Sequence, residues 1–360
     1  MNAALVHDYV TQRGGAERVV LSMLRAFPGA PLYTSLYEPR TTFAEFRSVD
    51  VRPLRVNRIR PLRRRHRLAL PLLASAFSGL HVRADVVVCS SSGWAHGAQV
   101  SGRKVVYCYT PARWLYEQAD VYLGERRRAA RVALAAVRGR LRRWDQTAAA
   151  SAARYLTSSR TVRDRIHAVY GIDAEVLPPP PTLDVAGAAR EVDGLSPGFI
   201  LCVSRLLPYK NVAAVVDAFR RLAGEQLVVV GTGPEAASLR ARAGANVRFL
   251  GAVSDDSLRW LYRKCQGVVA ASFEDYGLIP LEAATFGKPS AVLRWGGFLD
   301  TVVEGTTGVF FDRPDEGDIV AALRELTSAR WREDDLVAHA AHYSEDKFIA
   351  GLRRAVSEVG

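Results

Sequence analysis

The stretch "GVVAASFEDYGLIPLEAATFGKPSAVLRW", residues 267–295, decides how this chain folds. An unbroken apolar run, "GVVAAS", gives way to a glycine and a proline. A helical stretch closed by "GKP" follows, and then a second apolar run, "SAVLRW". Short continuous apolar runs joined by a helix are what a parallel sheet requires, because its strands are buried on both faces and need crossover connections. The helix is expected over 277–286, with Pro280 tolerated in its first turn and Gly287 as its stop. Two carboxylates break the apolar pattern eight positions apart, Glu274 just past the first strand and Glu282 one to two turns into the helix.

The same alternation extends on both sides. "GFILCVSRL" (198–206) reads as a buried strand, and "NVAAVVDAFRRLA" (211–223) as a helix with Val212, Val215, Val216, Phe219 and Leu222 on one face. "QLVVVG", "NVRFLGAV" and "TGVFF" read as further strands. "PEAASLRARA" reads as a helix with Pro234 in its first turn, and "SDDSLRWLYRKC" as a helix capped by Ser254. The first half repeats the theme: "AALVHDY", "ADVVVCSSS" and "KVVYCYTP" are strands, "GGAERVVLSMLRAF" is a glycine turn into a helix, and a helix occupies roughly 124–153. Four successive prolines, Pro178 to Pro181, continue neither a helix nor a central strand and mark a semi-rigid linker. The expected architecture is α/β, with two Rossmann-like doubly wound domains, 1–180 and 181–340, facing across a cleft. In such sheets ligands sit beyond the carboxyl ends of the strands.

At 360 residues the chain exceeds one ordinary core, which agrees with two domains. No window approaches the roughly 18 uninterrupted apolar residues of a membrane span, and "MNAALVHDYV" lacks the pattern of a secretory signal. The four cysteines are widely spaced and read as reduced thiols of a cytoplasmic protein, with no zinc spacing. Charge is uneven. Residues 1–180 hold 29 lysines and arginines against 13 acidic side chains, while the remainder is slightly acidic. Such asymmetry points the first half toward an anionic partner.

Three strand ends carry chemistry. In "SRLLPYKN", Arg205 and Lys210 follow a strand and suit a diphosphate, although a solvated basic loop would also place two cations there. In "VVVGTGPE", Gly231 and Gly233 permit close approach of a ligand, and serve a tight turn equally well. In the opening stretch, the amides of Gly277 and Leu278 point out of a helix N-terminus, a ready anion site, with a glutamate on either side. Glu274 and Glu282 could then reach different parts of one extended ligand without sharing a proton; the alternative is a glutamate complementing the helix dipole and a second, partly buried structural glutamate.

These segments, with "FLGAVSDDSLRWLY" and "GGFLDTVVEGTTGVFF", resemble the consecutive motifs of family 4 glycosyltransferases over 198–312. "VHDY", "RGGAERV", "DVVVCSSSGWAHG" and "YCYTPARWLYE" match more loosely, and are most similar to the mannosyltransferases that build bacterial surface polysaccharides. The resemblance implies the GT-B fold and a retaining transfer of a hexose, with GDP-mannose as the leading donor, to a glycan, lipid-linked or small-molecule acceptor. The last helix, in 341–360, would cross back to the first domain. Arg205 and Lys210 would hold the donor diphosphate, aided by the Gly277-Leu278-Ile279 backbone. Glu282 would take the ribose hydroxyls, Glu274 the transferred sugar, Val253 the base, and the Gly14-Gly15 turn the phosphates or sugar. No metal and no cofactor are implied. Where family members often place a histidine near the donor sugar, this chain has Tyr109, with His96 in "GWAHG" as an alternative bearer of that role.

Two arginine clusters, 57–77 with Arg63, Arg64 and Arg65, and 125–145, explain the basic first half. They read as solvated helical faces, or as a surface for anionic lipid on the inner face of the membrane or for a pyrophosphate-linked acceptor. Nucleic-acid binding is the rival from another class, and no recognised binding motif accompanies the charge. A nucleotide-sugar epimerase or a phosphorylase would keep the fold and change the reaction.

Overall fold

The computed structural model describes residues 2–64, 69–116 and 128–359. The chain divides into two compact units, Met1–Pro179 with Glu345–Gly360, and Pro180–Ser344, so the change of unit falls inside the proline run.

The first unit holds a parallel sheet of seven strands: β1 (Ala3–His7), β2 (Leu32–Thr34), β3 (Val51–Pro53), β4 (Val86–Ser91), β5 (Arg103–Cys108), β6 (Arg154–Thr157) and β7 (Glu175–Val176). Their order is β3-β2-β1-β4-β5-β6-β7. All six residues of β4 are buried, as its unbroken apolar run requires. Alternate side chains serve opposite faces. Val86 and Val88 meet Val19 and Met23 of the helix Gly15–Ala26, together with Phe348 and Leu352 of the C-terminal helix Glu345–Ser357. Val87 and Cys89 meet Leu73, Phe77 and Ile166 on the other face. The last helix is thus part of the first unit's core. Phe348 packs edge-on against Tyr107, with ring centroids 5.7 Å apart.

The second unit repeats the plan with β8 (Ile200–Val203), β9 (Leu227–Val230), β10 (Val247–Gly251), β11 (Gly267–Ala270), β12 (Ser290–Leu293) and β13 (Gly308–Phe311), all parallel. The order β10-β9-β8-β11-β12-β13 reverses direction at β8, so the switch point lies between β8 and β11. That is where an open α/β sheet offers a crevice.

Two helices differ from expectation. The helix after β8 spans only Val212–Ala218, because Arg220 and Arg221 donate to carbonyls three residues back and tighten the chain into turns. Its apolar face is nonetheless buried, through Phe219 and Leu222. Pro234 lies ahead of the helix Ala236–Arg242. The bond from Ala236 N to Gly233 O (3.2 Å) makes Pro234 the second residue of a turn, where its fixed φ is favoured. Ser254 caps the helix Asp255–Lys264, its hydroxyl accepting from Ser257 N at 3.2 Å.

Candidate functional site

The opening stretch forms the helix Leu278–Thr285, preceded by Gly277 in the left-handed region (φ 80). L side chains rarely adopt that conformation, and a Cβ there would also lie 2.5 Å from the Phe298 ring. The chain can therefore leave β11, turn sharply and present the first helical amides to the crevice.

A recess at the switch point is lined by Lys210, Ser272, Glu274, Gly277, Leu278 and Ile279, among others. The structure thus brings together the expected cation, sugar-facing carboxylate and helix N-terminus. Lys210 Nζ pairs with Glu274 Oε1, with the two side chains 10% and 28% exposed. Ser272 Oγ donates to the same oxygen at 2.8 Å. Burial pushes the Glu274 carboxyl up, but the Lys210 ammonium, the Ser272 hydroxyl and the Arg205 charge together outweigh it and hold Glu274 below the usual carboxylate range. It is ionised at neutral pH.

Lys210 is positioned by its neighbour. Asn211 adopts φ 54 and donates from Nδ2 to the Ala271 carbonyl at 2.8 Å, tying the loop after β8 to the end of β11. Arg205 is exposed, and its Nη2 donates to the Tyr209 hydroxyl at 2.7 Å. Gly231 and Gly233 seat this loop. A Cβ on Gly231 would lie 1.9 Å from the Ser204 carbonyl oxygen, and the two loops are joined by Ser204 N to Val230 O and Leu206 N to Thr232 O, both 2.9 Å. Val253 is partly buried against the core around Leu201 and Val230.

Glu282 lies deeper than an open ribose-binding group would. It is 6% exposed, with Oε1 accepting from Thr182 at 2.8 Å and Oε2 from the Tyr262 hydroxyl at 3.0 Å. Thr182 follows the proline run, so the start of the second unit is fastened to this carboxylate.

The remaining expected residues belong to the first unit. Gly14 directly precedes the helix that starts at Gly15. Tyr109 stands beside this turn, its hydroxyl 3.0 Å from Ser90 Oγ and donating to the Ala16 carbonyl at 3.2 Å. Burial pushes its phenol up, so it remains a protonated donor. His96, the alternative bearer of that role, is buried. Its ring is 2% exposed, with Nδ1 2.9 Å from Ser91 Oγ and Nε2 3.0 Å from Asp145 Oδ1, so the imidazole belongs to the interior. Arg63 Nε lies 3.8 Å from Glu38 Oε2. Arg65 lies outside the described residues, as does the Arg64 side chain, and 125–127 of the second cluster is likewise outside them.

Sequence reasoning missed Ser272, Asn211, Tyr209, Thr182 and Tyr262. Asn211 had a local signal, since asparagine at a loop-to-helix junction tolerates the left-handed region. The partners of Glu282 come from remote parts of the chain and had none.

Residues 190–343 match the family described as glycosyl transferases group 1. That match lies within the second unit, Pro180–Ser344. The chain is 29% identical to a D-inositol 3-phosphate glycosyltransferase of Mycolicibacterium vanbaalenii, over 54% of this chain and 49% of that one. It is also 29% identical to a GDP-mannose-dependent alpha-(1-6)-phosphatidylinositol monomannoside mannosyltransferase of Mycobacterium tuberculosis, over 48% of this chain and 54% of that one. The chain spans about half the length of the curated relatives it matches. Anabaena HepE in complex with UDP superposes with a TM-score of 0.71 at 16% identity, covering 99% of this chain and 100% of that one. The fold is GT-B.

Proposed function

We propose that the chain is a retaining glycosyltransferase that moves a hexosyl group from a nucleotide-diphosphate sugar to an acceptor hydroxyl. The observation that carries this reading is the recess where Lys210, ion-paired to Glu274, meets the N-terminus of Leu278–Thr285. A cation beside unpaired helical amides suits the departing diphosphate, and the ionised Glu274 suits sugar hydroxyls. In the reaction the bond between the sugar C1 and the diphosphate oxygen breaks, and the acceptor oxygen bonds to C1 on the same face. The acceptor proton passes to a phosphate oxygen, and the nucleoside diphosphate leaves. Lys210, Arg205 and the Gly277-Leu278-Ile279 amides stabilise the charge that develops on it, an electrostatic contribution that needs no moving parts.

Mannose from GDP-mannose is the donor we favour, supported by the mycobacterial relative whose name specifies that donor. A thermal-shift series with GDP-mannose, UDP-glucose and UDP-galactose tests it. Stabilisation by GDP-mannose alone supports the assignment, and a preference for a UDP-sugar overturns it.

Glu282 is proposed to accept from the ribose hydroxyls while Thr182 and Tyr262 hold its carboxylate in place. Alanine would also cut the anchor to Thr182, so Glu282→Gln is the cleaner variant. We expect its donor affinity to fall roughly tenfold, about 1.4 kcal/mol. Unchanged affinity by calorimetry would sink the ribose role.

The first unit is proposed to rest on anionic lipid and to take the part of the acceptor remote from the reacting sugar. Ile59 (47%) and Leu72 (46%) are exposed, and Arg55, Arg58 and Arg60 are exposed around Ile59. Exposed apolar side chains with exposed arginines nearby in the sequence fit a headgroup layer. No described helix is long and apolar enough to cross a membrane. Replacing Arg55, Arg58 and Arg60 by serine is expected to abolish co-sedimentation with phosphatidylglycerol vesicles at low salt. Equal sedimentation of variant and parent would count against the surface.

A further inference from the structure

We propose that Phe273 and Trp295 form a stacking subsite for a pyranose ring of the acceptor, beside the Glu274–Lys210 pair. This rests on the transferase reading above and names where the acceptor sugar lies.

The sheet places the two rings together. Strands β11 and β12 run parallel with Ala270 opposite Val292, and Phe273 and Trp295 each follow three residues later. Both therefore emerge at the carboxyl edge of the sheet, where its ligands bind. Their ring centroids are 5.2 Å apart at an interplanar angle of 90°. A perpendicular contact leaves the faces of the edge-on ring clear of its partner. Trp295 is anchored against the second unit's core, and Phe273 remains 38% exposed. The following segments are locked to each other, because Gly297 N donates to the Glu274 carbonyl at 2.9 Å. The aromatic pair is thus held on rigid backbone one residue from a charged carboxylate.

A pyranose is amphipathic in the matching way. One face is a row of C–H groups that rests on an aromatic ring, and its hydroxyl rim donates to a carboxylate. A nucleobase would also stack. The base, however, must stand a ribose and a diphosphate away from the transferred sugar, whereas Phe273 is adjacent to the group assigned to that sugar. The ring next to it is the acceptor's.

Saturation-transfer NMR with methyl α-D-mannopyranoside and methyl α-D-glucopyranoside tests the subsite, with calorimetry of GDP and UDP in parallel. Wild type is expected to saturate ring C–H protons of one or both glycosides. Phe273→Ala, at an exposed position, is expected to lower that signal about fivefold, the usual worth of an aromatic contact, with nucleotide affinity unchanged. Trp295→Phe, which keeps an aromatic in the core contact, is expected to lower it less. The proposal is overturned if Phe273→Ala saturates like wild type or if neither glycoside saturates in wild type. Loss of nucleotide affinity alongside glycoside binding also overturns it, by giving the ring to the base. Failure of wild type to bind either diphosphate would instead refute the donor reading, and the glycoside comparison would still decide this one.

Discussion

Lys210→Ala is expected to lower turnover by two to three orders of magnitude, roughly what one preorganised donor to a developing anion contributes. The expectation rests on geometry. The Lys210 side chain is 10% exposed, lines the recess and is held in line by the Asn211 bond to Ala271. Its charge therefore acts in a partly dehydrated site, where it is worth more than in water. The substitution also removes the main counter-charge of Glu274. With the ammonium gone, only the Ser272 hydroxyl and the Arg205 charge still oppose the upward push of burial on that carboxyl. Two losses thus follow from one side chain, so the damage falls on catalysis more than on folding. Glu274→Gln separates them, because it spares the lysine and removes only the carboxylate charge. Steady-state kinetics with a saturating donor, beside a thermal melt, checks the result. Near-normal turnover in Lys210→Ala would remove the diphosphate role from the site.

How far the sequence foretold this depends on whether a feature is local. The second unit's strands were legible because β8, β9, β11 and β12 are continuous apolar runs, the pattern of strands covered on both faces. Lys210, Glu274 and Gly277 were legible as a constellation because each sits at a strand end, and the sheet order brings those ends side by side. The burial of Glu282 was not, since it depends on Thr182 and Tyr262, which reach it through tertiary packing. The surroundings of His96 were hidden for the same reason. Its partner Asp145 lies on the helix Arg128–Ala150, where the sequence shows only one acid among arginines. Phe273 and Trp295 read as strand-end apolar residues until the register of β11 with β12 paired them.

The second large effect concerns two buried neighbours at the end of β1, His7 and Asp8, whose titrations oppose each other. His7 is 3% exposed, and Nδ1 meets Ser90 Oγ at 2.9 Å and Ser90 O at 3.1 Å. Burial lowers its pKa from 6.5 to about 4, against the pull of its backbone contacts. Asp8 is also 3% exposed, its carboxylate accepting from Ser92 N and Ala95 N at 2.7 Å each. Burial raises it from 3.8 to about 6, and the two amides and His96 only partly offset that. Below pH 6.5 the unfolded chain protonates His7 while the folded chain does not, so stability falls as the pH drops toward 4. Between about pH 6 and 3.8 the folded chain keeps a proton on Asp8 that the unfolded chain has lost, so stability rises over nearly the same window. Each contribution amounts to about 3 kcal/mol, and in the wild type they nearly cancel. Single variants break the balance. Asp8→Asn leaves the histidine contribution, and the first unit is expected to lose about 3 kcal/mol relative to wild type between pH 6.5 and 4. His7→Gln leaves the aspartate contribution, and stability is expected to rise by a similar amount over that range. Amide hydrogen exchange of β4, corrected for the intrinsic pH dependence of exchange, reads the first unit alone. Parallel pH profiles for wild type and both variants would show that neither group titrates in the way its burial demands.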